Sequence, residues 1–188
     1  MKRALIAVLL ALSACQGDPP DVPPSTPWEY ICDQGDAGVP RHAVELMTGL
    51  STDLTSSGYF DLGLVPSATA NLCEVYDPAG EVVLEIYLAD VGKTWQEAVF
   101  DKRLRAGGTP MPELLPGATG VYWAGPTAGF GPARGKANPL HEARAYLFRN
   151  GTELGIRLKH GAPGRDSVVN VLDLMRLIAP TLMPAGRG

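Results

Sequence analysis

The dipeptide Asn150-Gly151 constrains this chain most. Asn and Gly accept the left-handed backbone of a type I′ turn, the two-residue link whose twist matches a pair of antiparallel strands. The arms on either side, residues 142–149 and 152–159, read as those strands. In the second arm Leu154, Ile156 and Leu158 share one face, while Glu153, Arg157 and Lys159 share the other. The chain is thereby committed to antiparallel pairing. A second pair is expected upstream. Residues 72–76 form a candidate strand, Asp77-Pro78-Ala79-Gly80 a turn, and Val82, Leu84, Ile86 and Leu88 alternate along the next strand. Val121-Tyr122-Trp123 is a further short strand, and residues 51–68 read as loop with room for one more.

Helices are expected in three places. Pro40 suits a first helical position, with Ala43, Val44, Met47 and Leu50 as the buried stripe and Gly49 as the stop. Thr94-Trp95-Gln96-Glu97 reads as a capping box opening a helix to about Ala106, ended by Gly107-Gly108, with Trp95 packed on the sheet. Asp166 suits the N-cap of a last helix, buried through Val168, Val171, Leu172, Met175 and Ile178, with Pro180 bending or ending it. Strand pairs interrupted by helices predict an α+β domain: an antiparallel β-sheet with helices packed mainly on one face. The domain is expected over residues 28–184, with 185–188 a disordered tail.

The N-terminus has a separate purpose. Lys2 and Arg3 precede nine apolar residues, Ala4 to Leu12. That run is too short for a bilayer core, which needs about 20 residues, but it fits the core of an export signal. Leu12-Ser13-Ala14-Cys15 resembles the lipobox of bacterial lipoproteins, which implies cleavage before Cys15 and lipid on its sulfur. Two acyl chains give a stable anchor where one gives only marginal binding. Residues 16–27 hold five prolines. They read as an extended stalk, reaching at most ~37 Å at ~3.1 Å per residue. The expected location is a bacterial membrane, outside the cytoplasm.

Of three cysteines, Cys32 and Cys73 remain after lipidation. In an oxidising compartment a Cys32–Cys73 disulfide is the simplest reading, against two free thiols or a metal pair. No histidine stands at ligand spacing, so zinc fits poorly. The disulfide would stabilise the fold by up to ~4 kcal/mol. Formal net charge is −4, and loss of Lys2 and Arg3 makes the mature chain more acidic still. No long basic run exists, so nucleic acid is not an expected partner.

Motifs for chemistry are incomplete. His141-Glu142 begins like HExxH, but Ala145 stands where the second histidine belongs. Residues 129–136, GFGPARGK, fail the phosphate-loop spacing, and Pro132 removes a donor N–H. The dinucleotide pattern fails at Arg134, so no cofactor is expected. His42, His141 and His160 are scattered, and Asp53 and Asp61 lie in a loop. Asn150-Gly151-Thr152 matches a glycosylation acceptor, but the turn explains it. Tyr122-Trp123 reads as core first. The functional alternative has Tyr122 and Trp123 lining a ligand groove beside the Gly/Pro-rich stretch 108–140.

Taken together, the layout resembles small cell-envelope lipoproteins of unknown function of the actinobacterial type. Those join a lipobox and a Pro-rich stalk to a two-cysteine α+β domain, one cysteine before the first helix and one in the first clear strand, like Cys32 and Cys73. Leu115-Pro116-Gly117-Ala118-Thr119-Gly120-Val121-Tyr122-Trp123 is similar to their Pro-Gly-x-Gly segment before an aromatic strand, with the glycines one residue further apart. The resemblance implies a location and a fold but supplies no catalytic residues. Two functions are therefore expected to compete. One is a non-enzymatic protein, anchored through Cys15, that binds a small apolar ligand or an envelope protein. The other is a cell-wall or lipid-processing hydrolase using one of the histidines with a Ser or carboxylate.

Overall fold

The computed structural model describes residues 30–32, 38–50, 54–62, 71–125 and 142–185. The expected leader, Cys15, the stalk, Asp53, His141, the glycine-rich 129–136 segment and the last three residues lie outside them. Among the described residues, no helix is long and apolar enough to cross a membrane.

The elements run β1 (Tyr30–Ile31), β2 (Val39–Pro40), α1 (Arg41–Thr48), β3 (Thr55–Phe60), β4 (Asn71–Tyr76), β5 (Val82–Asp90), α2 (Lys93–Arg105), β6 (Thr109–Pro110), β7 (Thr119–Ala124), β8 (Ala143–Arg149), β9 (Thr152–Leu158) and α3 (Ser167–Leu182). β1 and β2 pair with each other. The other strands form one antiparallel sheet in the order β3-β4-β5-β9-β8-β7-β6. The α+β class is as expected. So is the Cys32–Cys73 disulfide, which joins the chain just after β1 to the middle of β4, Cα–Cα 5.7 Å.

Local chemistry explains the elements. Asn150 (φ 52°) and Gly151 (φ 85°) form the left-handed turn, pairing Arg149 with Thr152. Asp77 Oδ1 accepts the Ala79 and Glu81 N–H groups and closes the β4–β5 turn. An extra residue, Val83, bulges from β5 opposite the Val75–Tyr76 step. Asp166 caps α3, its Oδ1 accepting from Val168 and Val169. α1 begins one residue later than the Pro40 reading, with Pro40 as its N-cap, and ends at Gly49, whose N–H reaches the Glu45 carbonyl. Pro180 lies inside the last turn of α3, which continues to Leu182.

The period of two divides the sheet between two cores. On one face Cys73, Val75, Leu84, Ile86, Leu154, Ile156, Leu158, Ala145 and Leu147 are buried beneath α1 and α3. Each such Leu or Ile contributes about 1.5–3 kcal/mol when fully buried. On the other face Val121, Trp123, Tyr146 and Phe148 are buried against Val99, Phe100 and Leu104 of α2. Two of the three described helices thus share one face, and α2 covers part of the other.

The start of α2 corrects the capping-box reading. Gly92, not Thr94, is the N-cap, and no side chain among the described residues caps the helix. The cause is tertiary. The Val91 and Gly92 N–H groups both donate to the Gly151 carbonyl at the hairpin tip, and the Gln96 side chain accepts the Gly151 N–H. The hairpin therefore fixes where the helix begins. Trp95 falls outside the inward stripe and is 68% exposed rather than packed on the sheet.

Candidate functional site

Two places concentrate features that the fold alone does not require. The first is a row of charges across the α2-side face. Strand register aligns Glu74, Glu85, Arg157, Arg144 and Trp123 across β4, β5, β9, β8 and β7. Glu142 and Lys159 join this row from the ends of β8 and β9. Glu142, Arg144 and Lys159 are buried, Lys159 to 1% exposure. Their charges are paired: Arg144 Nε donates to Glu142 Oε1 at 2.7 Å, Lys159 to Glu85, and Arg157 Nε lies 3.4 Å from Glu142 Oε1. Arg157 Nη1 stands 3.7 Å from Glu85. Glu142 Oε2 and Arg157 Nη2 are buried, with no hydrogen-bond partner among the described residues.

Beside this row, α2 adds a second cluster. Arg103 pairs with Glu153, Tyr87 donates its hydroxyl hydrogen to the same carboxylate, and the guanidinium stacks 3.6 Å over the Tyr146 ring. Burial pushes the Tyr87 hydroxyl far above the usual tyrosine range, and the Glu153 charge adds to the rise. Burial also raises Tyr146, against the opposing charge of Arg103. These carboxylates are held by guanidinium or ammonium groups, an arrangement suited to fixing strand geometry. Charged residues at i, i+2 spacing, Glu142 and Arg144 or Arg157 and Lys159, were the sequence signal for one charged face.

The second place is a groove between α1 and α3, with a cavity of about 150 Å³. Ala43, Leu46, Met47, Leu174 and Leu177 line it, with Arg165, Asn170 and Asp173 as its polar members. Leu46 and Leu177 are 47% and 48% exposed. Both lie off the buried stripes of their helices. A leucine left over from a helical stripe was the available signal, and the stripe reading passed over both.

The residues singled out from sequence are dispersed. Tyr122 packs against the α1/α3 core, whereas Trp123 belongs to the α2 core, edge-on to Tyr146 at 5.4 Å. Adjacent strand residues face opposite ways. Tyr122 and Trp123 therefore line no common groove, which corrects that expectation. His42 is exposed, 3.8 Å from Glu45 Oε2. His160 is half-buried and follows β9, its N–H directed at the Val83 carbonyl. The Asp61 N–H donates to Asn71 Oδ1. Among the described residues no group of three or more His, Cys, Asp or Glu could hold a metal ion.

No known protein family matches the chain, and no curated protein or solved structure matches it either.

Proposed function

We propose that this chain is an exported envelope lipoprotein, anchored by lipid on Cys15, whose folded part acts by binding rather than by catalysis. The observation that carries the binding reading is the α1–α3 groove, where exposed leucines border an apolar cavity. Exposed apolar groups around a concavity mark a binding surface. The Glu142, Glu153 and Glu85 carboxylates, by contrast, are engaged by cations. Export is supported by the disulfide, which belongs to oxidising compartments and leaves Cys15 as the third cysteine of the chain. The Leu-Ser-Ala-Cys order and the apolar run before it support lipidation.

Two measurements test this. Cells fed labelled palmitate should label the wild-type protein and not Cys15→Ala, which should also leave the membrane fraction. A labelled or membrane-retained variant overturns the anchor. A photo-crosslinking amino acid at position 177 should give discrete adducts in intact cells. Absence of adducts overturns the binding function.

A further inference from the structure

The tip of the β8–β9 hairpin is a place where the chain can react with itself. Asn150-Gly151 is the one Asn-Gly step in the sequence. Asn150 is exposed, and both residues hold left-handed backbone. Glycine puts no side chain beside its own nitrogen, so Gly151 N is the least sterically covered kind of backbone nucleophile. Attack of Gly151 N on Asn150 Cγ forms a C–N bond and breaks the bond from Cγ to Nδ2. The Gly151 amide proton leaves with Nδ2 as ammonia, and a cyclic imide remains. Water then opens the imide. Addition at Cγ gives aspartate. Addition at the Asn150 backbone carbonyl gives isoaspartate, in which the main chain runs through the side chain. No oxidant or reductant enters either step.

The fold opposes this reaction at one atom. The Gly151 N–H donates to Gln96 Oε1 at 2.7 Å. The nitrogen must lose that proton to attack, and a hydrogen bond to the neutral N–H disfavours the loss. Gly151 is also buried, and a Cβ built on it would stand 2.7 Å from Lys93 N and 3.0 Å from the Gly92 carbonyl carbon. The start of α2 therefore lies directly against the turn that ring closure must distort. The Gly151 carbonyl in turn accepts the Val91 N–H at 2.7 Å and the Gly92 N–H at 3.0 Å. Isoaspartate lengthens the main chain just ahead of Gly151 and carries that carbonyl off its donors.

We propose that Asn150 is a site of spontaneous deamidation, kept latent in the folded protein by the Gln96 bond to the Gly151 N–H, and that isoaspartate there releases the start of α2 from the hairpin. The modification needs water alone and adds a negative charge at the exposed tip. It makes the junction of α2 with the β8–β9 hairpin the part of the fold where age is written. Gln96 acts as a positioning residue: it holds the nucleophile's proton in place and takes no part in either bond change.

The test ages the whole mature protein, disulfide intact, at mildly alkaline pH and follows residue 150 by peptide mass spectrometry. Electron-transfer fragmentation separates isoaspartate from aspartate. A synthetic peptide of residues 146–155 sets the unprotected rate, and the folded protein should react more slowly. Gln96→Ala should speed the folded protein about five-fold, the rate equivalent of one net hydrogen bond. Gln96→Glu keeps an acceptor and should stay near the wild-type rate. Amide hydrogen exchange at Ile86 and Ile156 should be the same in all three proteins. In the isolated isoaspartyl form the Val91 amide should exchange faster while Ile86 and Ile156 hold. A folded rate equal to the peptide's, or no acceleration by Gln96→Ala, overturns the latch. So does a Gln96→Glu rate as fast as that of Gln96→Ala. Acceleration that comes with faster exchange at Ile86 and Ile156 also overturns it, by tracing the effect to general loosening. Unchanged Val91 exchange in the isoaspartyl form overturns the release of α2.

Discussion

Gly155→Ala should destabilise the fold by about 2–4 kcal/mol, although alanine is normally the better strand residue. Gly155 lies in β9 between Tyr87 of β5 and Tyr146 of β8. A Cβ added there would stand 2.4 Å from Tyr87 Cε1 and Cζ, and 2.9 Å from its hydroxyl. Carbon atoms rest at about 3.5–4.0 Å, so the ring must retreat by roughly 1 Å or more. It is not free to do so, since its hydroxyl is bonded to Glu153 and lies 3.3 Å from Arg103 Nη2. Overpacking of this kind costs about 1–3 kcal/mol. Loss of a hydrogen bond to a charged group costs about 1.5–3 kcal/mol more. Relief of glycine's backbone entropy offsets about 0.5–1 kcal/mol. The assay is urea unfolding of the oxidised protein followed by tryptophan fluorescence. A double-mutant cycle isolates the cause: in a Tyr87→Ala background, Gly155→Ala should be neutral or stabilising by up to about 1 kcal/mol. An equal cost in both backgrounds refutes the steric argument.

Three other outcomes follow from the same structure. Cys32→Ser with Cys73→Ser should lower stability by about 4 kcal/mol, because a sequence separation of 41 sets the closed loop; a loss below about 1 kcal/mol in urea titration counts against the loop-entropy account. Tyr87 and Tyr146 both hold their protons more tightly when folded than when unfolded. Below pH about 10 both states are protonated and stability is flat; above it the unfolded chain alone releases these protons, so stability falls by up to about 1.4 kcal/mol per pH unit per tyrosine. Tyr87→Phe should shallow that slope in unfolding measured across pH 10–11.5, and an unchanged slope removes Tyr87 from the effect. Finally, Glu153→Gln should cost about 3–5 kcal/mol by leaving Arg103 buried opposite a neutral group, whereas Arg103→Met with Glu153→Gln should cost less than the single change; strict additivity in thermal unfolding contradicts this.

Elements whose geometry is set within a few residues were legible in the sequence. Asn150-Gly151 names its own turn, Asp166 caps its own helix, and the Leu84, Ile86 and Leu88 alternation gives its own buried face. What escaped depends on partners far away along the chain. Thr94 has the right chemistry for a cap, but the hairpin tip near Gly151 decides where α2 starts. Lys159 looks like a solvated strand residue until Glu85, 74 positions earlier, is brought beside it. The groove needs α1 and α3 together, and neither helix announces the other. Leu46 and Leu177 were visible only as residues left off a stripe.

The Cys32–Cys73 bond also decides how this domain carries load. Tension applied to the chain ahead of Tyr30 reaches Cys32 almost at once and passes through sulfur into β4, one strand in from the edge of the sheet. The segment between the two cysteines, with β2, α1 and β3, lies in a covalent bypass and feels none of that pull. The two-residue pairing of β1 with β2 lies ahead of Cys32 on the loaded path, and it can open without passing load into that bypassed segment. A domain tethered by its N-terminus would be gripped at an interior strand and resist peeling from its outer one.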